Sequence, residues 1–509
     1  MFRRYSKVSS ARSNPYISKI NDLRVLAGRE RLLGRRARVH VIKLIFHSAV
    51  MFFLITHIIL SLVNFSTFFT VKPHIIIYSA FSSIIAGILW PFAWYYIKAL
   101  NRGKNVEKEL KYFIISEGMS TINATELISD LVSTKNWPQV FPSLSRESVR
   151  FLKLRKFMAL FDTIRFYSRW ILSRGISKCL SDYLHSLSLG TALEWLQDKT
   201  DELINELRSS TQATIKLRTM VSLVLAIVLG YVPPLMTALS ILVGEEAVIK
   251  ALLITLLITP ISTALIPQLP LHARISSRIS SSNAISALAI TSITITIITT
   301  LSYVIYGNIN LILSTSACLI AWGIIKTYHY IKGITEAIEL PRILARISEA
   351  PLVISNPCKL IAEILANSRV PSFRRVGSKF KLDKINGLIS ELNLWTSRFV
   401  LYVITKSISN GSLTREHVLK LRELILDFTR DIKSLLATNT VIISMVVLLP
   451  YIISTISGLT AHTLLLDLYS MVASVMFSLY ASYVVFNDLT NTLLPGVTLL
   501  TLQLVGGLT

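Results

Sequence analysis

The chain alternates long charge-free stretches with long basic ones. Intervals without Asp, Glu, Lys or Arg run from Leu44 to Val71, Pro73 to Ile97, Thr219 to Gly244, Ala251 to Ala273, Ile279 to Ile325, Ser434 to Leu466, Leu468 to Asn487 and Leu489 to Thr509. A bilayer-crossing helix needs about 20 mostly apolar residues. The interval from Ile279 to Ile325 is too long for one helix and breaks at the turn signal Gly307-Asn308. Eight spans are predicted, over 44–67, 74–98, 219–242, 249–269, 284–306, 309–329, 436–458 and 463–486. A ninth segment, 492–508, contains Pro495, Gly506 and Gly507 and reads equally as a last span or a surface helix. Buried core helices of a soluble protein do not produce eight such intervals in one chain.

The segments between them follow a helical period. Leu193, Leu196, Leu203 and Leu207 recur at three- and four-residue spacing, with Glu194, Asp198, Asp201 and Glu202 off that stripe. Leu421, Leu424, Ile425, Phe428 and Ile432 repeat the pattern. No sustained strand alternation occurs, so Asn386-Gly387 and Asn410-Gly411 read as helix ends or loops. Breaks are expected at Trp137-Pro138, Phe141-Pro142, Asn356-Pro357 and Val370-Pro371.

Composition and charge give this pattern an orientation. Of 509 residues, 52% are hydrophobic and 16% charged, and the net charge is +24. Such hydrophobicity excludes a disordered chain. Cys179, Cys318 and Cys358 are odd in number and far apart, which excludes a disulfide scaffold. Met1–Lys43 holds twelve Lys/Arg and two acids. The positive-inside rule places this segment in the cytosol of a multi-pass plasma-membrane protein. It lacks the early apolar stretch of a secretory signal and reads as retained. Alternation then puts the links near 70–74, Gly307 and Gly458 outside and every strongly basic link inside. The chain divides into a basic cytosolic segment (1–43), a transmembrane pair (44–98), a cytosolic helical bundle (99–218), a second pair (219–269), a basic link (270–283), a third pair (284–329), a second bundle (330–435), a fourth pair (436–486) and an apolar C-terminal segment (487–509).

This layout is an internal duplication. Trp94-x-x-Ile97-Lys98 matches Trp322-x-x-Ile325-Lys326, and Glu109-Leu110 matches Glu339-Leu340. Glu202-Leu203-Ile204-x-Glu206-Leu207 matches Glu423-Leu424-Ile425-x-Asp427-Phe428, and Pro233 matches Pro450. All offsets lie between 217 and 230 residues, as two copies require. Both copies begin inside, so the repeats are parallel. The fold expected is an all-α polytopic membrane protein of two parallel repeats, each with transmembrane helix pairs flanking a cytosolic helical bundle.

The candidate functional residues are basic. Arg146, Arg150, Lys153, Arg155 and Lys156 cluster in the first bundle, followed by Arg165 and Arg169. Arg374, Arg375, Lys379, Lys381 and Lys384 form a denser run in the second. They read as a solvated cytosolic face near lipid phosphates or as a docking surface for an acidic partner. Nothing points to a nucleic-acid fold. A P-loop, an H-E-x-x-H or paired C-x-x-C zinc site, a G-x-S-x-G elbow and an intramembrane G-x-G-D are all missing from the sequence. His57 reads as a packing residue of the first span, and Asp467 lies near an outer end. The midplanes carry Ser292, Thr294 and Thr296 but no charge, unlike ion-coupled transporters. The residues argue for a scaffold rather than an enzyme, with no cofactor or metal.

Two tandem units, each a cytosolic helical bundle followed by apolar spans, resemble the type II secretion F-domain family. Its bundle often opens on an acid-rich stretch ending Glu-Leu-Pro, kept here as Glu336-Ala-Ile-Glu339-Leu340-Pro341; the first copy has Glu107-Lys-Glu109-Leu110 with Lys111 in place of proline. A later glycine pattern is partly present as Leu189-Gly190-Thr-Ala192-Leu193-Glu194 and Gly411-Ser-Leu413. The similarity covers roughly 98–237 and 326–454, and the span number resembles the archaeal branch serving adhesive pili and the archaellum. It implies a non-catalytic membrane platform of a type IV pilus-like assembly machine. A cytosolic hexameric secretion ATPase would dock on the basic bundles, and its motion would insert pilin-like subunits from the lipid bilayer into a filament. Self-association as a homodimer is also implied. The rival readings are a transporter or permease with two parallel repeats, a membrane enzyme, and an anchor for another cytosolic complex.

Overall fold

The computed structural model describes residues 103–120, 127–170, 174–243, 254–255, 258–275, 311–350, 356–381, 385–459, 464–489 and 491–506. The N-terminal segment and the expected spans 44–67, 74–98 and 284–306 lie outside the described residues. The helices are α1 (103–120), α2 (Leu127–Ser133), α3 (Pro142–Arg155), α4 (Leu160–Trp170), α5 (Arg174–Leu189), α6 (Ala192–Val243), α7 (258–265), α8 (Leu311–Glu349), α9 (Pro357–Ala366), α10 (Pro371–Ser378), α11 (Ile385–Leu388), α12 (Trp395–Ser409), α13 (Arg415–Leu459), α14 (Leu464–Phe486) and α15 (Leu493–Gly506). The described fold is all-α; its one extended pairing is an isolated bridge between Ile275 and Leu394.

Prolines set several starts. α3, α9 and α10 each begin on the proline of an expected break, where the missing N–H costs nothing. Asn356 caps α9, its side-chain oxygen accepting from the N–H of Cys358 and Lys359. Glycines set two corners. After α5, Gly190 takes φ +77°, the Thr191 N–H donates to Ser186 O at 3.0 Å and the Gly190 N–H to Leu187 O at 3.3 Å. After α12, Gly411 takes φ +65°, the Ser412 N–H donates to Ser407 O at 2.8 Å and the Gly411 N–H to Ile408 O at 3.1 Å. The two corners use the same bonds, 221 residues apart, and satisfy orphan carbonyls at each helix end.

The described residues form two compact units. The smaller holds the start of α1 with α4 and α5. In it the Glu107 carboxylate lies against Gly175 in the first turn of α5, where a Cβ would collide with it. The larger unit holds the rest, including α6 and α8–α15. There α6 packs along α13, α13 against α14, and α15 against α8, α13 and α14.

Among the described residues, three helices are long and apolar enough to cross a membrane: Ala192–Met236, Arg415–Ile453 and Tyr469–Phe486. The first two also carry the amphipathic stripes. Leu196, Leu203, Leu207, Leu421, Leu424, Ile425, Phe428 and Ile432 are buried, whereas Leu193 is exposed in the first turn of α6. The expected divisions at 218/219, 329/330 and 435/436 therefore fall inside the unbroken helices α6, α8 and α13. α6 has 52 residues and α13 has 45. At 1.5 Å per residue they extend about 78 and 68 Å, against roughly 30 Å of hydrocarbon. Pro233, Pro234 and Pro450 sit inside them.

Lipid offers little hydrophobic drive between helices, so close packing carries their association. Ala226 and Leu229 of α6, Ile442, Val446 and Leu449 of α13, and Phe477, Ala481 and Val484 of α14 share one core. α14 presents Ser470, Ser474, Ser478 and Ser482 inward at four-residue spacing. A Cβ on Gly323 of α8 would strike the Leu493 backbone, and one on Gly496 of α15 would strike Ile320 and Ser316 O. The last apolar segment is thus a packed helix of 14 residues, about 21 Å long.

Candidate functional site

The described sequence-predicted basic residues lie on two short helices or within a few residues of their C-terminal ends. On α10, Phe373, Val376 and Gly377 face inward and Arg374 and Arg375 outward. Gly377 allows the close approach, since a Cβ there would meet the α9 backbone at Leu365 and Ala366. Arg374 donates to Ser368 O at 3.3 Å, and Lys379 reaches Glu391 at 3.7 Å. Arg375 and Lys381 are exposed, and Lys384 lies outside the described residues. On α3, Leu144, Glu147, Ser148 and Phe151 are buried and Arg146 is exposed. Arg150 and Lys153 lie on the same helix, their side chains outside the description; Arg155 and Lys156 are exposed at its end. Arg146 and Arg150 belong to the larger unit and Lys153, Arg155 and Lys156 to the smaller. The structure brings Arg374, Arg375 and Lys379 together on one short segment.

The larger unit also holds polar nodes that the sequence reading missed. Lys406 of α12 contacts the carboxylates of Glu117 on α1 and, at 2.7 Å, Asp130 on α2. Glu117 is fully buried and Lys406 nearly so. Burial outweighs the attraction of Lys406 and, with Asp130 nearby, pushes the Glu117 carboxyl up to about 8. Asn410 Nδ2 and the Ser412 hydroxyl both donate to Ser120 O, at 3.1 and 2.7 Å, joining the α12 corner to the end of α1. Trp395 Nε1 donates to Val140 O at 2.8 Å.

The second node is His272. The expected basic link begins here, and its residues Leu271, His272 and Ala273 are all buried. His272 stacks on Phe428 at 3.9 Å, and its Nδ1 lies 3.0 Å from the Tyr112 hydroxyl. Its Nε2 lies 3.7 Å from the Asp431 carboxylate. A carboxylate only accepts, so this geometry favours the hydrogen on Nε2 and a bond donated by Tyr112 to Nδ1. Burial pushes the imidazole below its ordinary value, with Asp431 opposing. The Thr396 hydroxyl donates to His272 O at 2.6 Å, and the Trp395 N–H donates to Arg274 O at 3.1 Å. Glu336, from the acid-rich stretch, accepts from the N–H of Asn393 and Leu394 at 3.0 and 2.9 Å. A buried carboxylate thus sits at the N-terminus of α12, where the helix dipole favours it, although burial raises its pKa.

A third set closes the ends of the apolar helices. Arg218, 1% exposed, donates to Pro267 O at 2.5 Å and Val484 O at 3.0 Å. Asn439 Nδ2 donates to Val485 O at 3.2 Å, and Lys326 pairs with Asp488 at 3.1 Å. Carbonyls in the last turn of α14 have no partner within the helix, and Arg218 and Asn439 satisfy two of them. A lone Arg at the edge of a charge-free interval was the available sequence signal. Arg208 of α6 and Asp427 of α13 form a 2.7 Å ion pair between the two long helices. Among the described residues no three His, Cys, Asp or Glu side chains are grouped to hold a metal.

No family model, curated protein or solved structure matches this chain.

Proposed function

We propose that this protein is the non-catalytic membrane platform of a type IV pilus-like assembly machine, of the archaeal pilus or archaellum type. On this reading the chain is a polytopic plasma-membrane protein of two parallel repeats with a cytosolic N-terminus. Its cytosolic bundles dock a hexameric secretion ATPase, and its spans guide pilin-like subunits. The observation that carries the reading is a lever built twice. In each half a glycine corner with the same hydrogen bonds leads into one unbroken helix, and that helix continues from an amphipathic stripe into an apolar, membrane-length segment. The carboxylates extend the parallel: Glu107 lies at the first turn of α5 and Glu336 at the N-terminus of α12. An unbroken helix transmits a displacement along its axis, and α6 and α13 are packed and ion-paired. A motor pushing on the bundles would thereby move the apolar segments.

The motor face assigned here is the α10 run. The test is binding of the full chain, in nanodiscs, to a hexameric secretion ATPase from the same organism. Wild type should bind, and R374E/R375E/K379E/K381E should lose at least tenfold in affinity at low salt, a difference that narrows as salt screens the wild-type attraction. Absence of binding by the wild type would sink the platform reading; unchanged binding by the folded variant would remove α10 from the interface.

A further inference from the structure

The segment from Arg155 to Arg165 carries a feature that motor docking leaves unexplained. α3 ends at Arg155, and the chain turns through Lys156, Phe157 and Met158 before α4. Phe157 is 79% exposed and Phe161 is 54% exposed. Their neighbours Ile164 and Tyr167 are buried, so α4 already has an inner face and these rings are not on it. Arg155, Lys156 and Arg165 are exposed beside them, with Asp162 the acid in the segment. Phe161 and Arg165, one turn apart, share a side of α4, and Phe157 lies in the turn just before it. Large rings held in water at a turn and ringed by cations mark a contact site. Aromatic rings with Lys and Arg are the combination that seats at a lipid headgroup boundary.

The position of the corner supports a bilayer as the occupant. α4 leads into α5, whose first turn lies against Glu107. Glu107 follows the expected end of the second span, residue 98, by nine residues. The corner therefore lies in the same compact unit as a residue that is close along the chain to the expected exit from the bilayer.

We propose that residues 155–165 form an interfacial anchor, which seats Phe157 and Phe161 at the headgroup–acyl boundary of an anionic leaflet while Arg155, Lys156 and Arg165 face lipid phosphates. The proposal needs the chain to be membrane-embedded but not to serve a motor, and it gives Arg155 and Lys156 to lipid rather than to the ATPase.

The test uses the full chain with Cys179, Cys318 and Cys358 replaced by serine and an environment-sensitive fluorophore on M158C. The protein is placed in nanodiscs of phosphatidylglycerol or of phosphatidylcholine, some carrying nitroxide lipids. In the anionic discs the probe should shift to the blue and be quenched by headgroup and shallow-chain nitroxides. The seated fraction should exceed that in neutral discs by about fivefold or more, the equivalent of about 1 kcal/mol for one surface cation. R155E/K156E/R165E should abolish that difference. F157S/F161S, which keeps the charges, should lose shallow-chain quenching and retain headgroup quenching. A probe equally open to aqueous acrylamide in both discs would overturn the proposal, as would quenching indifferent to lipid charge. Shielding that arises only on adding the ATPase would also overturn it and would assign the corner to a protein partner.

Discussion

Lys406 is one cation placed between two carboxylates from a distant part of the chain. Glu117 is 289 residues away in sequence yet fully buried beside it. Removing one partner of such a group costs more than the interaction gains, because the remaining polar atoms stay desolvated. Lys406→Met should therefore destabilise the protein by about 3–5 kcal/mol, seen as a lower melting temperature in detergent. Glu117→Gln should behave differently. Folding raises the Glu117 carboxyl from 4.5 to about 8, so the folded chain holds a proton that the unfolded chain releases. The stability linked to that proton is complete below about pH 4.5, declines above it, and is lost as pH rises through about 8. Wild type should lose melting temperature relative to Glu117→Gln between pH 5 and 8. A difference that stays constant over that range would refute the assignment.

Glycine acts at the scale of elements by letting backbones meet. At Gly190 and Gly411 it supplies a positive φ with open space around it. At Gly323 and Gly496 it lets α8 and α15 touch through their backbones. The Thr492 hydroxyl donates to Leu319 O at 2.7 Å, and Asn491 Nδ2 donates to Thr327 Oγ1 at 3.2 Å, so the approach to α15 is tied down as well. Gly496→Val must push Ile320 and Ser316 O aside. It should cost about 1–3 kcal/mol, as overpacking does, and release α15 first. Hydrogen exchange of 493–506 is expected to rise while exchange of the α6–α13 core holds. Protection that stays unchanged in α15 would show that the pairing does not depend on this contact. The proline-led starts of α3, α9 and α10 and the stripes of α6 and α13 were legible in the sequence, because capping and amphipathic period are local. The unbroken passage of α6, α8 and α13 through their expected divisions was not. A cytosolic stripe and an apolar span look like different segments, although one helix can carry both.

At the scale of the whole molecule, two long helices lie side by side, and several of their polar contacts bridge segments hundreds of residues apart. Arg218 reaches α14 across 266 residues and Arg208 reaches α13 across 219. Arg218, Lys326, Asn439 and Asp488 all fall at the span ends expected to face the cytosol. In the proposed topology, cysteines placed at Gly307 and Gly458 in a cysteine-free chain should react with an impermeant maleimide on intact cells. One at Lys433 should react only after permeabilisation. Labelling of Lys433→Cys from outside would invert the orientation and detach the bundles from any cytosolic motor.

The sequence by itself determined the helical class, the membrane-length apolar stretches of α6, α13 and α14 and the stripes, because hydropathy and period are properties of neighbouring residues. It also showed that the basic residues cluster, since a solvated charge needs no distant partner. The tertiary structure alone decided which polar groups are shared. Lys406 with Glu117 and Asp130, His272 with Tyr112 and Asp431, and Arg218 with the end of α14 join residues far apart in the chain. A buried charge or imidazole must find its counterpart wherever packing brings one, and nothing in the local pattern around any of these residues says where that will be.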